Sequence, residues 1–163
     1  SGSDVPSRVE PERFRQKFGI QGPFAIYVGR IDQNKGCDEL FTFYARYAAS
    51  GQGPLQLVLC GNSILPIPDD PRVRHLGFVS DQDKFDGVAA SDVLVMPSYY
   101  ESLSIVALEA WAVGTPVLAN PKCDVLKGRC LRSNAGLVYE NADEFVEALK
   151  MDAQQSFLGG GGA

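Results

Sequence analysis

The stretch Phe24-Ala25-Ile26-Tyr27-Val28-Gly29-Arg30-Ile31-Asp32-Gln33-Asn34-Lys35-Gly36, running on into the amphipathic Cys37–Ala49, decides the fold. Five successive apolar or aromatic residues are what a strand covered on both faces needs. A glycine then frees the turn, and residues at helical spacing follow. Strand, short loop and helix make the repeating unit of a parallel α/β sheet.

The same alternation extends in both directions. Further strands are expected at Leu55–Cys60, Val73–Phe78, Val93–Met96, Pro116–Ala119 and Gly136–Tyr139, with helices at Pro11–Phe18, Asp81–Ala90, Ser102–Val113 and Ala142–Met151. Several of these helices open on Ser, Asp or Asn in capping position. The expected architecture is α/β: a Rossmann-like, doubly wound parallel sheet of about six strands with helices on both faces. Asn62–Pro71 carries three prolines and no periodicity, so it reads as a surface loop. No internal repeat and no internal linker is evident.

Composition agrees with a single globular domain. The chain has 163 residues, a net charge of −5, 45% hydrophobic and 21% charged residues, which excludes a disordered or fibrous protein. Such a length buries enough surface for a core without disulfides or a structural metal. The acidic balance and the lack of a Lys/Arg cluster argue against nucleic acid as a partner, since that affinity comes from neutralising phosphates. No apolar run approaches the roughly 18 residues of a membrane span, and no signal pattern opens the chain. The domain is expected to be soluble. Cys37, Cys60, Cys123 and Cys130 match neither a zinc nor a Cys-x-x-Cys redox spacing and read as small buried thiols of a reducing, cytoplasmic compartment. Residues 1–3 read as an expression scar, 4–155 as the domain, and 156–163, with the glycines 159–162, as a mobile tail.

In an open parallel sheet the ligand sits beyond the carboxyl ends of the strands, which directs attention to Gly29–Gly36, Gly61 onward, Phe78–Asp83 and Pro97–Ser104. Gly29 permits close backbone approach, and Arg30 and Lys35 bring two cations to one strand-end loop. A diphosphate fits between them: Arg offers a bidentate fork and Lys a mobile point charge. Alone, two loop cations in an acidic protein are more often solvated or ion-paired than functional, and the Walker spacing is absent.

The stretch Pro97-Ser98-Tyr99-Tyr100-Glu101-Ser102-Leu103-Ser104-Ile105-Val106-Ala107-Leu108-Glu109-Ala110-Trp111 is richer. Glu101 precedes the expected helix and Ser102, Leu103 and Ser104 fill its first turn, where free amides make an anion site. A carboxylate at a helix start is also ordinary dipole stabilisation, so Glu101 alone decides nothing. Glu109 lies about 12 Å further along the axis. Flanked by Leu108, Ala110, Trp111 and Val113, it calls for donors that the vicinal hydroxyls of a ribose would supply. His75 stands alone as a polar strand residue, Asp69-Asp70 reads as a turn, and Asp81 and Asp83 read as a helix N-terminal cap. Phe41, Phe43, Tyr44 and Trp111 fall at helical spacing and read as core. No metal-ligand cluster is evident.

Gly-Arg-x-x-x-x-Lys-Gly after the first strand, Pro-Ser-x-x-Glu, Glu-Ala and Gly-Thr-Pro-Val follow in order, with Leu76-Gly77-Phe78-Val79-Ser80-Asp81 and Ala90–Ser98 between. This set resembles the carboxyl-terminal domain of the retaining glycosyltransferases of group 1, family 4, over about Phe24–Leu149. The resemblance implies one half of a two-domain GT-B enzyme, with the acceptor-binding half missing here. By motif position it implies that Arg30 and Lys35 grip the donor diphosphate and that Glu101 faces the transferred sugar. The amides of Ser102, Leu103 and Ser104 add to that grip or hold the sugar, Glu109 accepts from the ribose hydroxyls, the backbone near Val79 meets the base, and Gly29 gives clearance. It further implies a UDP-, GDP- or ADP-sugar as partner, retention of configuration and no metal or other cofactor. Whether the full-length enzyme touches a membrane is left open.

Other classes share parts of this pattern. A non-catalytic nucleotide-sugar binding module keeps the pocket without transfer. A sugar-nucleotide epimerase or a pyridoxal-dependent phosphorylase of related fold uses the same ligand class, and a flavodoxin-like partner-binding domain uses only the fold.

Overall fold

The computed structural model describes residues 9–51, 55–97, 110, 114–119, 136–138 and 141–150. In chain order the elements are α1 (Pro11–Phe18), β1 (Phe24–Val28), α2 (Cys37–Ala49), β2 (Gln56–Cys60), β3 (Val73–Gly77), α3 (Asp81–Ala90), β4 (Val93–Met96), β5 (Val117–Ala119), β6 (Gly136–Val138) and α4 (142–150). The six strands form one sheet in the order β3-β2-β1-β4-β5-β6, and every neighbouring pair is parallel. This is the doubly wound order, in which the chain reverses direction across the sheet between β1 and β4.

Pleating sorts the strand residues onto two faces. Ala25, Tyr27, Leu57, Leu59, Val93, Val95 and Leu118 pack with Leu40, Tyr44 and Tyr47 of α2 and Phe145 and Leu149 of α4. Phe24, Ile26, Val58, Cys60, Leu94, Met96 and Val117 pack on the other side with Phe14 of α1, Val88 of α3 and Ala110. Each large side chain removed from water on either face contributes about 1.5–3 kcal/mol. The expected helices on both faces are therefore present.

Strand ends are shorter than the apolar runs, for local reasons. Leu55 donates its N–H to the Tyr47 hydroxyl, and its carbonyl accepts from the Tyr44 hydroxyl, so β2 starts one residue later. Gly77 turns to φ 74°, which takes Phe78 out of β3. Pro116 lends only its carbonyl, to the N–H of Leu94. Ser80, not Asp81 or Asp83, is the N-cap of α3: its side chain accepts from the Asp83 N–H at 3.1 Å. Asn141 caps α4 through the Glu144 N–H at 2.9 Å. Asp70 accepts from the Arg72 N–H at 2.8 Å, the turn expected there. The loop Asn62–Pro71 is more than surface: Ser63 bridges to Ile31, and Leu65 and Ile67 pack against the α2 side of the core.

Of the expected helix Ser102–Val113 only Ala110 is among the described residues, where it is helical and buried. Residues 1–3 and 156–163, Cys123, Cys130, Trp111 and Tyr139 lie outside them. Tyr44 is buried as expected, and Phe41 and Phe43 are partly buried against the same core.

Candidate functional site

The carboxyl ends of β1, β2 and β3 are tied together beyond the sheet. The Gly29 N–H donates to the Cys60 carbonyl at 2.9 Å and the Gly61 N–H to the Gly77 carbonyl at 2.8 Å. The Ile31 N–H reaches Asn62 at 2.9 Å, and the Ile64 N–H returns to Ile31 at 3.0 Å. Gly61, at φ 146°, lies so close to Gly29 that a Cβ would overlap the Gly29 carbonyl. Two side-chain-free residues back to back leave a floor of bare backbone. His75 anchors that floor from the edge strand, its Nε2 2.8 Å from the Gly61 carbonyl. A carbonyl accepts only, so Nε2 carries the proton.

Above this floor opens a cleft of about 570 Å³. Val28, Gly29, Arg30, Cys60 and Gly61 line its base; Asn62 and Ile64 stand on one side, and Phe78, Val79, Asp81 and Lys84 on the other. Ile64 and Phe78 are 65% and 79% exposed. Among the described residues these are the large apolar side chains left open to solvent.

The loop after β1 is held firmly while its cation is not. The buried Tyr27 hydroxyl donates to the Arg30 carbonyl at 2.6 Å, and burial, with Cys37 and Asp32 nearby, pushes the phenol's pKa up, so it stays a donor. The Arg30 guanidinium, 62% exposed, makes a 3.4 Å contact with Asp32, whose side chain is 10% exposed. Burial pushes the Cys60 thiol up to about 12 and raises Cys37 as well. Both are neutral near pH 7 and offer no thiolate nucleophile.

The loop then crosses to the neighbouring strand. After the 3-10 turn Gln33–Lys35, Gly36 takes φ 75° and packs on Pro97, where a Cβ would overlap the Pro97 carbonyl. The β1 loop thus abuts the chain leaving β4, at the point where strand order reverses and open α/β sheets bind ligands.

Among the residues expected to form a site, Gly29, Arg30 and Val79 line one cleft. Lys35 ends the 3-10 turn of the same loop, its side chain outside the described residues. Glu101, Ser102, Leu103, Ser104 and Glu109 also lie outside them. Sequence reasoning pointed to the strand-end stretches Gly61 onward and Phe78–Asp83 but gave no site role to Asn62, Ile64, Phe78 or Lys84, and read Asp81 as a cap. Of these, Asp81 and Lys84 were detectable, since a three-residue spacing puts both on one face of a helix. Among the described residues no cluster of three His, Cys, Asp or Glu could hold a metal ion, and no helix is long and apolar enough to cross a membrane.

Comparison with known proteins places this geometry. The model of the family described as "Glycosyl transferases group 1" matches residues 9–151. The alpha-maltose-1-phosphate synthase of Mycobacterium tuberculosis is 33% identical over 137 residues, 75% of this chain and 34% of that protein. The mannosylfructose-phosphate synthase of Agrobacterium fabrum is 28% identical over 123 residues, 66% of this chain and 27% of that protein. The chain therefore spans about a third of the length of these curated relatives. Among solved structures, WaaG, a glycosyltransferase involved in lipopolysaccharide biosynthesis, superposes with a TM-score of 0.72 at 26% identity, covering 95% of this chain and 44% of that one.

Proposed function

The chain belongs to the glycosyl transferases of group 1, and from that premise we propose that it is the donor-binding half of an enzyme that moves a sugar from a nucleoside-diphosphate sugar to an acceptor. The observation that carries this reading is the convergence at the carboxyl ends of β1, β2 and β3. A bare-backbone floor at Gly29 and Gly61 and the exposed Arg30 guanidinium share one cleft, and the Gly36–Pro97 contact ties the same loop to the chain leaving β4. Charge repulsion keeps a diphosphate away from an acidic protein unless cations are presented locally, and Arg30 and Lys35 share one strand-end loop.

As the bond from the sugar to the diphosphate breaks, negative charge grows on the leaving group and positive character on the sugar. Arg30, Lys35 and the amides of Ser102, Leu103 and Ser104 stabilise the first without a metal. Glu101 faces the sugar, Glu109 holds the ribose, and the backbone at Val79 meets the base. Each preorganised donor of this kind is worth about 2.7–4 kcal/mol in comparable oxyanion sites, so losing either cation lowers transfer at least about 10²-fold. The acceptor is read by a partner domain that supplies the rest of the relatives' length.

Calorimetry with UDP, GDP and ADP on this chain tests the donor half. At least one binds, and the corresponding nucleoside-diphosphate sugars give no transfer to an added acceptor on this chain alone; binding by none, or a measurable transfer rate from this chain, refutes the proposal. In the longer enzyme Glu101→Gln abolishes transfer and leaves nucleotide affinity within about 3-fold, which separates an enzyme from a binding module.

A further inference from the structure

Lys84 and Asp81 stand on one wall of the cleft, one helical turn apart at the start of α3, with Nζ 3.9 Å from the carboxylate. Asp81 is 76% exposed and Lys84 only 16%, so the ammonium is set into the wall and the carboxylate projects from it. The separation is at the outer limit of an ion pair, and the ammonium also lies over the Phe85 ring, 5.0 Å from its centroid. Ile64 and Phe78 hold apolar surface open to solvent at the same cleft. An open cleft with apolar sides and a few polar groups, Arg30, Asn62, Asp81 and Lys84 among them, suits a flat ligand with apolar faces and a hydrogen-bonding edge.

Resting on the donor-site reading above, we infer that this pair selects guanine as the base of the nucleotide. The Asp81 carboxylate accepts from the ring N1–H and the 2-amino group, and the Lys84 ammonium donates to O6. Guanine alone among the three bases carries two parallel donors beside an acceptor, matching two carboxylate oxygens beside an ammonium. Uracil offers one N–H between two carbonyl oxygens, so the second carboxylate oxygen would face an acceptor. Adenine offers its amino group beside a ring acceptor and makes one bond to the carboxylate. Paired bonds to a charged group are short and about twice as strong as neutral ones.

The test titrates this chain with GDP, UDP, ADP and inosine diphosphate by calorimetry, alongside Asp81→Asn and Lys84→Gln, with circular dichroism confirming that each variant is folded. A bidentate edge contact discriminates between bases by about 10- to 100-fold, and GDP is expected to exceed UDP and ADP by that factor. Inosine diphosphate, which lacks the 2-amino group, falls between. Asp81→Asn weakens GDP by about 10-fold or more and leaves UDP within about 3-fold, and Lys84→Gln weakens GDP more than ADP. UDP or ADP binding as tightly as GDP, or Asp81→Asn weakening all nucleotides equally, overturns the guanine assignment and leaves the donor-site reading standing. Binding by none of the four removes both.

Discussion

Two regions of this molecule use the same ingredients, a cation beside a carboxylate, to opposite ends. Where α1 crosses α3, Asp86 is fully buried and accepts from the Arg13 Nε at 2.6 Å, the Arg13 Nη2 at 3.2 Å, the Glu10 N–H at 2.9 Å and Gln82 at 2.9 Å. Lys17 reaches Asp83 at 2.8 Å on the same seam, and Phe14 lies against Gly87 so closely that a Cβ there would overlap its ring. At the strand ends Arg30 and Asp32 stand 3.4 Å apart, Lys84 and Asp81 3.9 Å. The seam holds two helices together and satisfies its charges internally. At the cleft it is the Arg30 guanidinium and the Asp81 carboxylate that stay largely exposed, at 62% and 76%, each in a longer contact with its partner. The two sets of pairs differ in length and burial, which decide how much of each charge's hydration the protein must replace.

The backbone of the cleft is its least forgiving part. Gly61→Ala must adopt a positive φ and push a methyl group into the Gly29 carbonyl, two penalties that together cost about 3 kcal/mol or more. Urea unfolding should show that loss, and any folded fraction should bind nucleotide at least about 10-fold more weakly because the floor has moved. A variant as stable as the wild type would break the claim that this floor is built on contact between two glycines.

On the seam, Asp86→Ala should lower stability by about 2–3 kcal/mol. It strands the Glu10 N–H and Gln82, while the partly exposed Arg13 recovers some hydration. Nucleotide affinity of the folded variant should stay within about 2-fold. A collapse of affinity without loss of stability would erase the distinction between the two regions.

The strands were legible because parallel strands covered on both faces run apolar, and β1, β2 and β4 do. Even β3, with Arg74 and His75, was found, and its place at the sheet edge explains why it tolerates them. The seam was not legible: Lys17 and Asp83 are 66 positions apart and Arg13 and Asp86 are 73, and neither pair has a local signature. The packing of Leu65 and Ile67 against the core was hidden for the same reason, inside a proline-rich loop. Gly29, Arg30 and Val79 could be singled out because they follow strand ends, and the structure sets them along one cleft. Ile64 and Phe78 were not, since nothing in a sequence says which apolar side chains stay outside.

Arg30→Ala sharpens the comparison from the other side. Because the guanidinium is 62% exposed and its contact with Asp32 is long, its removal should shift stability by no more than about 0.5 kcal/mol. Diphosphate affinity should nevertheless fall about 10-fold, and the salt dependence of binding should flatten as one charged contact disappears. Titration of wild type and variant at two ionic strengths reads both effects. A destabilised variant with unchanged affinity would make Arg30 a structural cation like Arg13.

The smallest effect is set by pH. Burial pushes the Asp86 carboxyl up, but bonds from Arg13, the Glu10 N–H and Gln82, with the Arg13 charge, outweigh it and hold the group below its ordinary value of 3.8. A carboxyl lowered on folding adds stability that is fully present above its unfolded value and is lost as pH falls through the folded one. Urea midpoints should therefore be flat with respect to this group at neutral pH and decline below about pH 4. Asp86→Asn should decline less steeply over the same window than the wild type. An Asp86→Asn variant that declines as steeply as the wild type would mean that the seam does not depend on this carboxylate being ionised.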